Sequence, residues 1–207
     1  MRFTSFALAA FSMGSALAAP AVHQPHARAV EILSTATTTV STVKTTVEGE
    51  LQSVSKLVVS IGGAANSTAL VPQLEQSLLS IAGEVTKIVG SVLPIITEGV
   101  PTLAEDELNN LPDLLNNVLS IANGLQSTAT QIVNGVGADV LKAIKPELQL
   151  ALSTVEPIAK PIISLALGAV GDITSPLVTE VNGLVGDIEN VTGSILSPVT
   201  DLVSKIL

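Results

Sequence analysis

The feature that most constrains the fold is a run of aliphatic residues whose spacing alternates regularly between three and four. Because one turn of α-helix holds about 3.6 residues, this spacing places all of these side chains on one helical face. The sequence therefore predicts a long amphipathic helix that buries one side. The run comprises Val71, Leu74, Leu78, Ile81, Val85, Ile88, Val92 and Ile95.

Four further stripes of the same kind accompany it, at residues 40–61, 111–136, 141–169 and 177–206. Gly, Pro and short polar residues separate them, and residues 102–105 match a capping box at the start of the third helix. None of the stripes shows the period-two alternation of a half-buried strand. The sequence predicts an all-α fold, an antiparallel bundle of about five amphipathic helices with some kinked at proline.

Two features complicate this helical interpretation. Residues 34–46 are dense in Thr, whose β-branched side chain lowers helix propensity and equally suits a strand or an O-glycosylated stalk. Glu156-Pro157 and Lys160-Pro161 predict a bent or broken helix. Ser175-Pro176 and Ser197-Pro198 instead predict helix starts, with Ser as the N-cap and Pro in the first turn.

The first 18 residues have the pattern of an export signal. Arg2 precedes an apolar run, and Ala16-Leu17-Ala18 matches the small-x-small rule for signal peptidase. The run is shorter than the roughly 20 residues that span a bilayer, and the longest later apolar stretch, 161–170, is shorter still. We therefore expect a secreted protein without a transmembrane anchor. Residues 19–29 are predicted to form a flexible tail or short pro-segment, and residues 30–207 a single helical domain.

The leader holds every aromatic and sulfur-containing residue of the chain. Because Phe3, Phe6, Phe11 and both Met lie within it, the hydrophobic content of the mature chain is Leu, Ile, Val and Ala. Without cysteine, packing alone must stabilise a secreted fold. The whole chain has nine basic and 18 acidic residues and a formal charge of −9. Removal of the leader takes away Arg2, so the predicted mature chain has a charge of −10. Such an acidic chain is a poor ligand for nucleic acid.

Residues that could do chemistry are scarce after Arg28. That part of the chain has no His, Cys, Tyr or Arg, so a nucleophilic Ser would lack its usual base. Both histidines, His23 and His26, lie in the predicted tail without a third metal ligand. The acidic cluster at 105–107 is explained by the positive end of a helix dipole. We expect no enzyme, no catalytic residue, no metal site and no cofactor.

Two sequons are compatible with N-glycosylation in the secretory route. Asn66 starts Asn-Ser-Thr in a predicted loop, and Asn190 starts Asn-Val-Thr in the middle of the last stripe. The loop position makes Asn66 the better acceptor, and we expect Asn190 to be the more occluded of the two.

The two faces of the predicted helices suggest a function. Only 13% of the chain is charged, against about 25% in ordinary domains, so the polar faces are mostly Ser, Thr, Asn, Gln and Gly. An aliphatic face that leaves the core for oil, wax or lipid keeps most of its burial free energy. We expect binding to a hydrophobic surface or fatty-acyl lipid, with self-association as a further interaction. The residues expected to face the apolar ligand are Val71, Leu74, Leu78, Ile81, Val85, Ile88, Val92, Leu115, Val118, Leu125 and Ile132.

An export signal, a Cys-free mature region rich in Ser, Thr and Ala, and successive amphipathic helices resemble the fungal hydrophobic surface-binding protein A family, also called cell-wall galactomannoproteins. The resemblance covers residues 40–169, including the stripes at 71–95 and 111–136. It implies a secreted helical bundle that binds hydrophobic surfaces or fatty acyl chains, in some members within the cell wall. It is carried by composition and pattern, so it assigns no functional residue.

Other interpretations stay open at the level of sequence. The stripes can be only the core of an ordinary helical bundle. The bundle can enclose an elongated apolar cavity for one lipid. Finally, the chain can be a cell-wall structural or host-interaction protein that needs a glycan and a partner but no apolar ligand.

Overall fold

Helices account for all the regular structure in the computed structural model, which describes residues 25–63, 67–97, 105–171 and 175–200. The all-α prediction is confirmed. The α-helices are α1 (Pro25–Gly63), α2 (Val71–Thr97), α3 (Leu111–Gly135), α4 (Ala138–Ser153), α5 (Val155–Val170) and α6 (Pro176–Ser194), with 3₁₀ turns at Ser67–Leu70 and Glu105–Asn110. The predicted leader at 1–18 lies outside the described residues, as does most of the predicted tail.

Helices α1 and α3 run parallel to each other, and α2, which lies between them in the chain, runs in the opposite direction. Ser120 on α3 donates to Glu48 on α1, and further along both helices Ser55 donates to Gln131. By contrast, Ser80 on α2 donates to Glu50 on α1. These two residues lie equally far from the α1–α2 connection, as expected for antiparallel helices. A helical hairpin followed by a third helix produces this arrangement. Helices α4, α5 and α6 then close the bundle against α2 and α3.

The threonine-rich stretch 34–46 is helical, so the strand alternative is wrong. Buried side chains on its inner face, Val40 and Val43 among them, provide the stabilisation that Thr propensity lacks. On the outer face Thr hydroxyls donate to the carbonyl four residues earlier, as Thr42 does to Thr38 at 2.9 Å. Tertiary packing therefore overrides the local preference of threonine.

Helix α1 also starts earlier than the sequence predicted. Its first residue, Pro25, falls inside the segment 19–29 that the sequence assigned to a flexible tail or short pro-segment, so the last part of that segment is helical. Proline suits the first helical turn because its missing N–H has no helical partner there. The buried Ile32 and Leu33 extend the apolar face upstream of Val40 and give this early start a packing reason.

Most of the capping box predicted at 102–105 falls outside the described residues. Thr102 lies outside the described residues, and a 3₁₀ turn runs from Glu105 before α3 begins at Leu111. Pro112 explains the position of the start, because an α-helix running through it would need an N–H that proline lacks. Leu108 in the 3₁₀ turn is fully buried, so the turn belongs to the core.

The apolar stripe at 141–169 continues across a break in the backbone. The break falls at Thr154, between α4 and α5, which confirms the predicted interruption near Glu156-Pro157. The N–H of residue 157 would bond the carbonyl of Ser153 in a continuous helix, and proline cannot donate it. The helix is not broken at Lys160-Pro161, since Pro161 lies inside α5, and a bend there stays a prediction.

The two predicted Ser-Pro helix starts have different outcomes. Ser175 is the N-cap of α6 as predicted, in extended conformation, although its hydroxyl makes no capping hydrogen bond. After α6, Leu196 accepts hydrogen bonds from the backbone N–H groups of Val199 and Thr200. Leu196, and not Ser197, therefore occupies the cap position, while Pro198 lies in the first turn as expected.

Glycine permits the closest approach of α1 to α3. A Cβ added at Gly135 would lie 2.5 Å from Val58 Cγ1, and one added at Gly62 would lie 2.9 Å from the carbonyl oxygen of Gly135. These distances are too short for a methyl group, so the two helices pack through their glycines at this end.

We expect Gly135→Ala to lower the free energy of unfolding by about 1–3 kcal/mol, because the stiff and buried Val58 has no room to move away. Gly83→Ala is the matched control. Nothing lies within 4 Å of a Cβ at that position of α2, so we expect a gain of up to about 1 kcal/mol in helix propensity. Urea unfolding followed by circular dichroism measures both, and equal effects would contradict the close-packing interpretation.

Candidate functional site

The residues predicted to face an apolar ligand lie in the interior of the bundle. Val71, at the start of α2, is half-buried, and the others are at most 3% exposed. In the closed bundle they contact each other and not the surroundings, so a ligand reaches them only when helices separate. The buried ones are Leu74, Leu78, Ile81, Val85, Ile88, Val92, Leu115, Val118, Leu125 and Ile132.

Helix α3 is the central element of this interior. Its buried face is broader than the predicted stripe, because Leu114, Ile121 and Val133 form a second apolar row beside the first. A broad stripe is the sequence signal of a helix that contacts neighbours on several sides, and α3 contacts α1, α4, α5 and α6. The predicted stripe on α3 takes about one residue per helical turn, so it does not include this second row.

The core has almost no polar content. Among the residues whose burial the structure describes, Thr128 is the one buried polar or charged side chain. The other buried side chains that the structure describes are those of Leu, Ile, Val and Ala, together with the ring of Pro198. Aliphatic contacts are non-directional, so this interior is held by the hydrophobic effect and not by a specific polar network.

The charged side chains do not tie the helices together. Within the described residues, each ion pair joins two positions of the same helix: Lys44–Glu48, Glu84–Lys87 and Glu156–Lys160. Exposed pairs of this kind contribute little to stability. Most side-chain hydrogen bonds that cross between helices, such as Gln126 on α3 to Ser194 on α6, are also exposed, and the one from Ser80 to Glu50 is part-buried. Separation of the helices therefore breaks few strong polar interactions.

Helix α6 has the smallest share of buried residues among the four C-terminal helices. Three of its 19 residues, Val181, Val185 and Ile188, are fully buried, against eight of 16 in α5. Its glycines at 183, 186 and 193 face open space and lower its helix propensity. Of these four helices, α6 therefore has the fewest buried side chains to expose if it detaches.

An open groove of about 970 Å³ lies between α5 and the C-terminal part of α6, and the end of α4 and residues 195–196 also line it. Its size falls in the range that proteins use for small-molecule ligands. Leu167 and Leu196 are large apolar side chains 46% and 48% exposed on its walls. The apolar lining residues are Leu152, Ala159, Ile163, Leu167, Ile195 and Leu196.

The polar part of the groove carries three charged groups. Lys160 Nζ pairs with Glu156 Oε1 at 2.6 Å, while Glu189 on the opposite helix has no ion-pair partner within the part of the chain that the structure describes. Thr192, also in the lining, has a buried hydroxyl oxygen without a hydrogen-bond partner among those residues. The sequence analysis did not find this site, because it depends on how α5 and α6 diverge in space.

By comparison, the space between α2 and α5 is small. The gap lined by Ile88, Val92, Pro157 and Ile162 holds only about 10 Å³, which is too little for a lipid chain. It offers no support for a preformed elongated cavity at that contact.

Other predicted sites have the following positions. Asn66 lies outside the described residues, as do His23 and the acidic cluster's side chains at 105–107. Asn190 is exposed on α6, so the predicted occlusion is wrong for its side chain. No group of three or more His, Cys, Asp or Glu that could hold a metal occurs among the described residues.

Two described helical stretches, Val71–Pro94 and Ala138–Val170, are long and apolar enough to cross a membrane by composition alone. The sequence analysis found no such stretch because it counted uninterrupted apolar runs, whereas an average over a longer window tolerates Ser and Gly. Core helices of a bundle meet the same criterion, and 33% and 50% of the two windows are buried inside the fold. This composition is weak support for membrane insertion.

Comparison with known proteins found no matching family model, no matching curated protein and no matching solved structure.

Proposed function

We propose that this chain is a secreted, non-catalytic protein that binds hydrophobic surfaces or acyl lipids through its aliphatic amphipathic helices. The observation that carries the proposal is the nature of the core. It is aliphatic, nearly free of polar groups, and not cross-tied by ion pairs among the described residues.

The energetics of such a core favour exchange of one apolar contact for another. Burial of a Leu, Ile or Val side chain contributes about 1.5–3 kcal/mol, and a helix that leaves the core for an oily surface retains most of that free energy. A buried salt bridge or hydrogen-bond network would be lost on opening and would oppose it. In this core, opening on an apolar surface has little polar cost.

Helix α6 supports the proposal because it offers a place for opening to begin. Its few buried side chains contact α3 and α5, so its departure uncovers the central helix. The resemblance to the hydrophobic surface-binding protein A family agrees with this function and with a location outside the cell or in the cell wall. The low charge of the polar faces suits adsorption to neutral materials, because few charges need to keep their hydration.

Adsorption is the direct test of this function. We expect the mature protein to accumulate on an alkylated quartz-microbalance surface and to bind a hydroxylated surface of the same roughness much less. Circular dichroism should show high helicity both in plain buffer and on lipid vesicles, because the helices rearrange without unfolding. Equal uptake on the two surfaces would refute the proposed function.

A further inference from the structure

The groove between α5 and α6 is a site of a different kind from the core, because it is open in the closed bundle. Its apolar walls include Ile163, Leu167 and Leu196, so a single alkyl chain can lie there without any helix moving. The charged groups in the same lining then decide which headgroup accompanies the chain.

The charge balance of the groove is negative. Lys160 and Glu156 neutralise each other as a pair, and Glu189 is left without a cation within the described residues. A carboxylate headgroup would meet the uncompensated charge of Glu189, whereas an ammonium group would pair with it. The overall charge of the protein, −9, acts in the same direction at longer range.

The kind of cation is constrained by what the chain lacks. Quaternary ammonium groups are held by cages of aromatic rings, and every aromatic residue of this chain lies in its first eleven positions. A primary amine instead donates N–H hydrogen bonds to a carboxylate such as Glu189. The hydroxyl oxygen of Thr192 in the same lining is buried, so the exposed Glu189 is the acceptor for the amine.

We propose that the α5–α6 groove binds a single-chain amphiphile with a protonated primary amine, with the alkyl chain on the Leu167–Leu196 wall and the amine at Glu189. The inference rests on the proposed function in one respect, namely that the ligand has an apolar chain. It goes beyond it by assigning a separate site and a headgroup class.

The experiment compares three probes with the same chain length below their aggregation limits: dodecylamine, dodecanol and dodecanoate. We expect the full-length mature protein to bind dodecylamine about tenfold more tightly than dodecanoate, with dodecanol between them. Titration calorimetry measures the affinities. Amide NMR signals locate the site, since Gly168 and Gly193 line the groove whereas Gly62 and Gly135 lie at the α1–α3 contact.

Charge variants connect this preference to one side chain. Glu189→Gln should reduce the preference for the amine to about twofold or less, and Glu189→Lys should reverse it in favour of dodecanoate. Glu180→Gln is the matched control, because it removes the same charge from an exposed position of α6 that does not line the groove. It should leave the preference unchanged.

Several results would overturn the inference. They are an equal affinity for the three probes, a preference that survives Glu189→Gln, or NMR shifts at Gly62 and Gly135 in place of the groove glycines. Failure of all three probes to bind would also reject the groove site. Adsorption to the alkylated surface is measured separately, so the proposed function can hold when the groove site fails.

Discussion

Leu115→Ala is expected to lower the free energy of unfolding by about 3–5 kcal/mol. Leu115 lies on the central helix α3 and is completely buried, so truncation removes its burial free energy and leaves a cavity between helices that have few other ties. Urea unfolding followed by the helical circular-dichroism signal measures the loss. That signal is the appropriate probe because the predicted mature chain has no aromatic residue to report by fluorescence.

Leu79→Ala provides the matched control for that prediction. Leu79 is 42% exposed on α2, so the same truncation should cost less than about 1 kcal/mol. If both variants lost the same stability, the core would not be centred on α3 as described. If Leu115→Ala is too unstable to purify, Val118→Ala at a neighbouring buried position removes less volume and tests the same point.

Cross-linking α6 to α3 is expected to reduce adsorption on the alkylated surface to about the level of the hydroxylated one. Gln126 Nε2 lies 3.0 Å from Ser194 Oγ, so cysteines at these two positions can be joined by a short bis-maleimide with a cleavable disulfide spacer. The chain has no other cysteine to react. The link prevents α6 from leaving the bundle, and reduction of the spacer should restore adsorption.

The control places the same reagent within one helix. Cysteines at 126 and 130 lie one turn apart on α3, where a link leaves α6 free to detach. Adsorption of this variant should match that of the unlinked protein. Normal adsorption of the protein linked between α3 and α6 would mean that the core does not open through α6.

The apolar periodicity was sufficient to predict the helices and most of the core. The stripes at 40–61 and 141–169 are buried at every stripe position, because a spacing of three and four admits only one helical face. Helix ends were predicted less well. The start of α3 depends on Pro112 and the buried Leu108, and the early start of α1 depends on Ile32 and Leu33 packing against other helices. A capping motif at 102–105 is a local signal that does not contain this information.

The candidate sites were also predicted only in part. The sequence placed the predicted ligand-facing residues on apolar stripes but did not distinguish a surface from an interior, because the same stripe is compatible with both. It did not identify the groove at all. Glu156, Lys160 and Glu189 look like ordinary solvated charges in the sequence, and only the spatial relation of α5 to α6 places them in one lining.

The sequence by itself determined that the chain is helical, aliphatic and poor in charge, since composition and periodicity depend on nothing beyond neighbouring residues. The tertiary structure decided which helix is central, where glycines allow close approach, and where a groove remains open. These outcomes depend on contacts between residues far apart in the chain, such as Gly135 with Val58 and Gln126 with Ser194. Such contacts form only when whole helices pack against each other, and a spacing pattern within one helix carries no information about which helices pack together.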